Sequence, residues 1–172
     1  MRLNDLLAQH KNKIIKDWFN RVVETYPTDT AIFLKSCEDP FANPVGSMIN
    51  KGLTSIYGQL LKGIDHKVVS SLLDPIIRIR AAQDFTPSAA IGFIFYLKKV
   101  VRDHLNEEMM HSTIEYELRF FDEKIDELCL IAFDLYMACR EKIYQLKANE
   151  VKNRTFKVFE RAGLICEMPA KS

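Results

Sequence analysis

Residues 112–139 read "STIEYELRFFDEKIDELCLIAFDLYMAC", and this stretch decides the fold class. Its apolar residues recur at alternating intervals of four and three, the spacing of a helix that packs along one face. This inner seam consists of Ile114, Leu118, Phe121, Ile125, Leu128, Ala132, Leu135 and Cys139. The pattern therefore predicts one long helix, which a capping box of Ser112 and Glu115 would begin.

A second apolar stripe on the same helix lies away from the inner seam. This outer stripe consists of Leu130, Phe133, Met137 and Tyr144. Soluble monomers rarely expose a contiguous apolar patch, so a helix that is apolar on two faces needs a second partner. Because two-fold dimers are the commonest oligomers, we expect the outer stripe to form a homodimer interface. The alternative is a helix that is sandwiched inside its own domain.

Helical spacing extends over almost the whole chain and predicts an all-α protein. The segment "PSAAIGFIFYL" (87–97) is apolar on all sides, so its helix is expected to run through the middle of the domain. Gly92 inside it indicates the close approach of another helix or of a ligand. Before the long helix, the predicted helices are Leu3 to Tyr26, a short one after Pro27, Val45 to Leu60, His66 to Ala82, and Pro87 to about Asn106.

A polar residue precedes proline at four positions, which predicts four helix starts with the polar residue as N-cap. The pairs are Asp39-Pro40, Asn43-Pro44, Asp74-Pro75 and Thr86-Pro87. For Pro75 a kink within one continuous helix is the alternative. The stretch "DPFANPVG" (39–46) then forms a corner, and Phe41 at its tip is expected to plug into the core or, alternatively, to line a pocket.

The end of the chain predicts a basic helical tail. Val151, Thr155, Val158 and Ala162 lie on one side of "NEVKNRTFKVFERAG" (149–163). A helix unbroken from Ser112 would be about 75 Å long, so it is expected to bend near Asn149 or to project. We therefore divide the chain into a helical sensor-like domain, 1–148, and a basic helical C-terminal tail, 149–172.

Composition favours a cytoplasmic protein that binds neither nucleic acid nor membrane. The 172 residues include 24 basic and 23 acidic ones. The chain therefore lacks the excess of basic residues that binding to nucleic-acid phosphates needs. The longest apolar run is far shorter than the roughly 20 residues that span a bilayer, and the N-terminus does not resemble a secretory leader. The four cysteines lack metal-site spacing and are expected to be reduced thiols.

Candidate cofactor sites are weak in this sequence. A face suited to a metal would combine His104, Glu108, His111 and Glu115, but a di-iron bundle needs two Glu-x-x-His motifs and this chain has one. Haem ligation by His104 is a further alternative. Arg78, Arg80 and Asp84 suit an anion, although ion pairs between helices are favoured. With neither a nucleophile elbow nor a phosphate loop, we expect no enzyme and no cofactor.

Several long motifs carry a family resemblance over almost the whole chain. They are "DPFANPVG" (39–46), "RIRAAQDFTPSAAIGFIFYLKKVVR" (78–102), Trp18, "YPTDT" (26–30) and "NEVKNRTFKVFERA" (149–162). With these the sequence resembles the N-terminal domain family of the RsbT co-antagonist (RsbR/RsbRD-type) stress-sensor proteins. That resemblance implies a globin-like helical domain that dimerises and lacks haem and catalytic residues; in its multidomain members it sends a signal through its last helix to a STAS domain.

Only nine residues follow Gly163, so the chain resembles the stand-alone bacterial members of this stressosome-related family. We therefore expect a signalling module with an unknown protein partner; a small-ligand or haem-binding globin-like sensor is the alternative. The family offers no catalytic positions. Its motif residues carry over as structural ones, namely Asp39, Phe41, Asn43, Arg78, Gln83, Asp84 and Phe85.

Overall fold

The computed structural model describes residues 2–37, 39–83, 85–106 and 112–165. These parts of the chain contain helices and no strand, so the all-α prediction is confirmed. The globin-like arrangement stays a prediction. In chain order the helices are α1 (Leu3–Gln9), α2 (Lys11–Val23), α3 (Thr28–Ser36), α4 (Pro44–Lys62), α5 (His66–Ala82), α6 (Pro87–Gly92), α7 (Tyr96–His104) and α8 (Ser112–Arg161).

Two of the predicted cap and proline pairs begin helices. The Oδ1 atom of Asn43 accepts a hydrogen bond of 2.8 Å from the Gly46 N–H at the start of α4. The hydroxyl of Thr86 accepts one of 3.3 Å from the Ala89 N–H at the start of α6. In both helices proline follows the cap. Proline suits this position because the N–H of the first helical residue has no partner within the helix.

The other two pairs do not begin helices. Pro75 lies inside α5, on an exposed side where solvent reaches the backbone, and α5 is capped by Asp65 instead. Asp39 stabilises a turn before α4, because its carboxylate accepts a hydrogen bond of 3.0 Å from the Phe41 N–H. The Asn43 N–H closes this turn by donating to the Asp39 carbonyl over 2.8 Å.

The predicted first helix is broken at His10, so the expectation of one helix from Leu3 to Tyr26 is wrong. The hydroxyl of Tyr57 on α4 donates a hydrogen bond of 2.9 Å to the Leu7 carbonyl. An external donor of this kind replaces a bond of the helical ladder and accompanies a change of direction. Both α1 and α2 contribute buried side chains to the same core.

The predicted helix from Pro87 to Asn106 is also interrupted, between Gly92 and Tyr96. In this interruption the backbone forms hydrogen bonds between residues three apart, such as that from the Ile94 N–H to the Ile91 carbonyl at 3.1 Å. The Phe93 carbonyl accepts a hydrogen bond of 2.8 Å from the indole N–H of Trp18. Among the described residues, no atom of another helix lies within 4 Å of where a Cβ of Gly92 would stand, so the expected close approach of a helix is wrong and that of a ligand stays a prediction. Phe95 is exposed, so the segment is not buried on all sides.

The helix α8 is continuous through Asn149 and has 50 residues, about 75 Å at the usual rise. It packs most extensively against α5. The inner seam is buried from Ile114 to Ala132, and Leu135 and Cys139 are half-buried, so this part of the prediction is confirmed. Every residue from 144 to 164 is exposed, so of the two expectations the helix projects. The side chain of Ser112 lies outside the described residues, and the capping box stays a prediction.

Candidate interaction surface on the long helix

The outer stripe is exposed to solvent on the side of α8 opposite the inner seam. Leu130 is 69% exposed, Tyr144 57%, Phe133 43% and Met137 38%. Burial of such side chains in an interface contributes about 25 cal/mol for each Å² of apolar surface removed from water. The four residues thus have the exposure that a homodimer interface requires, and the interface itself stays a prediction.

The outer stripe continues into the projecting end of α8, which sequence analysis assigned to a separate tail. Leu130, Met137, Tyr144, Val151 and Val158 recur at intervals of seven residues along one unbroken helix. All five are exposed. A seven-residue apolar repeat is typical of helices that pair along their length. The sequence itself carries this continuity, because the seven-residue repeat runs past Asn149 without a break.

The corner before α4 is held rigidly by Asn43, which is only 3% exposed. Besides capping α4, its Nδ2 atom donates to the carbonyls of Leu34, over 3.1 Å, and Cys37, over 2.9 Å. Phe41 at the tip is 96% exposed, so the expected plug into the core is wrong. The turn that Asp39 closes directs this side chain away from the body, which a preference of aromatic residues for burial cannot reveal.

The motif at the end of α5 separates its two arginines. Arg78 lies at the surface, where it forms an ion pair of 2.6 Å with Asp74 in the preceding turn. Arg80 is fully buried, and burial lowers the pKa of its guanidinium. It donates to the carbonyls of Ala89 and Ala90, over 3.0 and 3.1 Å, and to the Thr25 hydroxyl, over 2.9 Å. Among the described residues Arg80 therefore joins α5 to α6 through backbone carbonyls and not through an ion pair.

Two of the remaining motif residues, Gln83 and Phe85, follow the end of α5. Phe85 is half-buried and its ring lies 4.3 Å from the guanidinium carbon of Arg80. The Phe85 carbonyl accepts a hydrogen bond of 2.6 Å from the hydroxyl of Tyr136 on α8. Gln83 is exposed at the end of α5, and Asp84 lies outside the described residues. The motif thus connects directly to the helix that carries the outer stripe.

The groups considered for chemistry are dispersed. Burial raises the pKa of the Cys129 thiol to about 12, so it is protonated at neutral pH and is a poor nucleophile. The Nε2 atom of His104, considered for haem, lies 2.7 Å from the Asp17 carboxylate at the surface. No group of three side chains suited to a metal occurs among the described residues; Glu108 and His111 of the candidate metal face lie outside them.

A polar groove of about 550 Å³ runs between α2, α3 and α4. Among the described residues that line it are two lysines and four asparagines, but no carboxylate. One of these lysines, Lys35, forms an ion pair of 2.7 Å with Glu24. The polar residues that line it are Asn12, Lys16, Asn20, Lys35, Asn43, Ser47, Asn50 and Thr54, together with Cys37.

Comparison with known proteins places the chain among regulatory domains. The family model described as RsbT co-antagonist protein rsbRD N-terminal domain matches residues 12–151, and the chain belongs to this family. It is 29% identical over 141 residues to an uncharacterized protein of Archaeoglobus fulgidus, a match that covers 81% of this chain and 83% of the relative. No solved structure matches the chain. Within the described ranges, none of the helices is both long and apolar enough to cross a membrane.

Proposed function

We propose that this protein is a non-enzymatic, cytoplasmic regulatory module of the stressosome type. It dimerises through the outer stripe and relays a signal, or the binding of a partner protein, along α8. The observation that carries this proposal is the division of one continuous helix into a buried inner seam and an exposed outer stripe. The family to which the chain belongs supports the regulatory role.

The relay rests on contacts that join α8 to the body immediately beside the outer stripe. Tyr136 donates to the Phe85 carbonyl, and Arg140 donates over 3.0 Å to the Ala81 carbonyl at the end of α5. Both lie next to Met137 in sequence or one turn from it. A shift of α5 or α6 would therefore move α8 at the interface, and the unbroken helix would carry that movement from the domain 1–148 to the tail 149–172.

Light scattering tests the dimer directly. At micromolar concentration the protein should have twice the 19.9 kDa mass of one chain. A monomer at that concentration would contradict the proposal.

The relay is tested by affinity capture from native cell extract, with the wild type and with a variant whose outer stripe carries charged residues. If the wild type and the outer-stripe variant capture a partner protein equally, the dimer is not needed to bind that partner.

The groove between α2, α3 and α4 favours a second candidate function, that of a small-ligand sensor. The side-chain amides of Asn12, Asn20 and Asn50, together with Lys16, suit an organic anion that also carries hydroxyl groups. Thermal denaturation with a panel of small hydroxy acids, each at millimolar concentration, tests this candidate. A melting temperature unchanged by every acid would remove it.

A further inference from the structure

Charge is distributed unevenly along α8. Its first part, residues 112–134, contains seven acidic and two basic residues; we call it the acidic half. Residues 140–161, the basic half, contain seven basic and three acidic residues. Five uncharged residues, 135–139, separate the two halves and include Met137 of the outer stripe. The helix is therefore strongly polarised in charge about the middle of the proposed interface.

The charges of both halves lie beside exposed apolar side chains. In the acidic half, Tyr116 is 62% exposed and Phe120 49%. The exposed acidic residues of this half are Glu115, Glu123, Asp126 and Asp134, of which Glu115 pairs with Arg119 and Asp126 with Lys98 in the same chain. In the basic half, Val151 is 63% exposed and Val158 58%. The exposed basic residues of this half outnumber its exposed acidic residues, Glu141, Glu150 and Glu160, by six to three, and they are Lys142, Lys147, Lys152, Arg154, Lys157 and Arg161. Each half is thus an apolar surface with flanking charges of predominantly one sign.

Two pairs of exposed apolar residues are also placed symmetrically about Met137, whereas Val151 has Glu123 at the mirrored position. Leu130 and Tyr144 lie seven residues on either side of it, and Tyr116 and Val158 lie twenty-one residues on either side. A second α8 that crosses at Met137 in the opposite direction therefore brings Leu130 opposite Tyr144 of its copy. The same register brings the surface around Tyr116 opposite Val158.

We propose that the second copy lies antiparallel, with Met137 near the two-fold axis, so that the acidic half of each α8 contacts the basic half of the other. This inference rests on the dimer of the proposed function. A parallel pairing would place the basic halves side by side and the acidic halves side by side, and like charges in contact oppose association. The antiparallel pairing matches opposite charges at both ends of the interface.

The arrangement explains why residues 144–164 are exposed within one chain. The basic half packs on the body of the copy, where it covers Tyr116 and Phe120 and is itself covered. A movement of α8 in one body then acts on the body of the other copy, which makes the relay an exchange between two copies.

Salt dependence of the dissociation constant distinguishes the two orientations, because salt screens charges near the surface. Sedimentation equilibrium of the full chain at 50 and 500 mM NaCl should show the dissociation constant rising by about tenfold, as expected for several exposed ion pairs. A variant with Lys147→Gln, Lys152→Gln and Arg154→Gln should lose most of this dependence. A wild-type constant that is unchanged or falls with salt would overturn the antiparallel pairing.

Disulfide crosslinking tests the register independently. The background carries serine at Cys37, Cys139 and Cys166; Cys129 is kept because it is buried. An equal mixture of a Leu130→Cys chain and a size-tagged Tyr144→Cys chain should form the mixed disulfide on oxidation. Leu130→Cys alone should stay uncrosslinked, because two copies of this position would be about 21 Å apart along antiparallel helices, beyond disulfide reach.

Each outcome separates this inference from the dimer on which it rests. The antiparallel pairing would be overturned if a stable dimer formed in which Leu130→Cys crosslinks to itself and the mixture shows no preference for the mixed disulfide. The proposed dimer would survive that result. A wild type that stays monomeric at micromolar concentration at both salt concentrations would overturn both.

Discussion

The hydroxyl of Tyr136 donates a hydrogen bond of 2.6 Å to the carbonyl oxygen of Phe85, 51 residues earlier in the chain. Tyr136 is 2% exposed and lies directly before Met137 of the outer stripe. This bond fastens α8 to the loop between α5 and α6. It therefore links the packing of the body to the orientation of the proposed interface.

Replacing Tyr136 with phenylalanine should lower the free energy of unfolding by about 1 to 3 kcal/mol, because the Phe85 carbonyl loses its donor in a poorly hydrated position. Urea denaturation followed by circular dichroism measures the change. Tyr116→Phe is the matched control on the same helix, measured like Tyr136→Phe at a concentration where the protein is monomeric, since Tyr116 is 62% exposed within one chain. Equal midpoints for Tyr136→Phe and the wild type would show that the bond does not stabilise the fold.

Asn43→Ala should destabilise the protein more than the loss of a helix cap alone. A cap contributes about 0.5 to 2 kcal/mol. Asn43 also bonds the Leu34 and Cys37 carbonyls, so we expect a total loss of about 2 to 4 kcal/mol. Thr86→Ala, which removes one cap bond of 3.3 Å, is the control and should lower the free energy of unfolding by about 1 kcal/mol. Comparable denaturation midpoints for the two variants would contradict the special role of Asn43.

Phe41→Ser should leave the free energy of unfolding within about 0.5 kcal/mol of the wild type, because the ring is 96% exposed. Phe93→Ala should lower it by about 3 to 5 kcal/mol, since that ring is fully buried. The same denaturation assay compares both variants. A loss above 1 kcal/mol in Phe41→Ser would mean that this ring packs against the body after all.

The contrast between these two rings shows what sequence patterns can and cannot determine. Periodicity predicted the inner seam and outer stripe because it records directly which faces of a helix are apolar. Burial of Phe41 was inferred from residue type alone, and type does not reveal which way a turn directs its side chain. The sequence correctly marked the corner at 39–46 because proline and a capping residue act locally.

The two unexpected helix breaks have long-range causes. The break at His10 accompanies the bond from Tyr57 to the Leu7 carbonyl, across 50 residues, and the break after Gly92 accompanies the bond from Trp18 to the Phe93 carbonyl, across 75 residues. Neither donor is near its acceptor in sequence, so spacing within a window of one helix could not predict the interruption. The same limit hid the role of Arg80, which bonds backbone carbonyls of α6.

Charged substitutions in the outer stripe should disrupt the dimer without unfolding the chain. Phe133→Glu with Met137→Glu should give a folded monomer, because both side chains are already exposed within one chain and would bury four charges in the dimer. Ile32→Glu with Phe33→Glu on α3 is the matched control, since Phe33 is 48% exposed, and it should remain dimeric. Light scattering and circular dichroism together decide the result. Loss of cooperative melting in the outer-stripe variant would instead favour a helix buried in its own domain.

Truncation after Asn149 should leave the body folded and weaken the dimer. Residues 150–164 are all exposed, so their removal takes no buried side chain from the described core. The melting temperature of the truncated chain, measured where wild type and variant are both monomeric, should lie within about 2 °C of the full-length value. The dissociation constant of its dimer should be about tenfold higher than that of the full chain at 50 mM NaCl, because Lys152, Arg154, Lys157 and Arg161 are gone. Removing Met1 to Gln9 is the contrasting truncation. It takes the buried Leu3, Leu6 and Leu7 from the core and should destabilise the fold.

Two results would contradict this prediction. A tail truncation that melts non-cooperatively would show that the basic half packs on its own body. An unchanged dissociation constant would show that the basic half contributes nothing to the dimer.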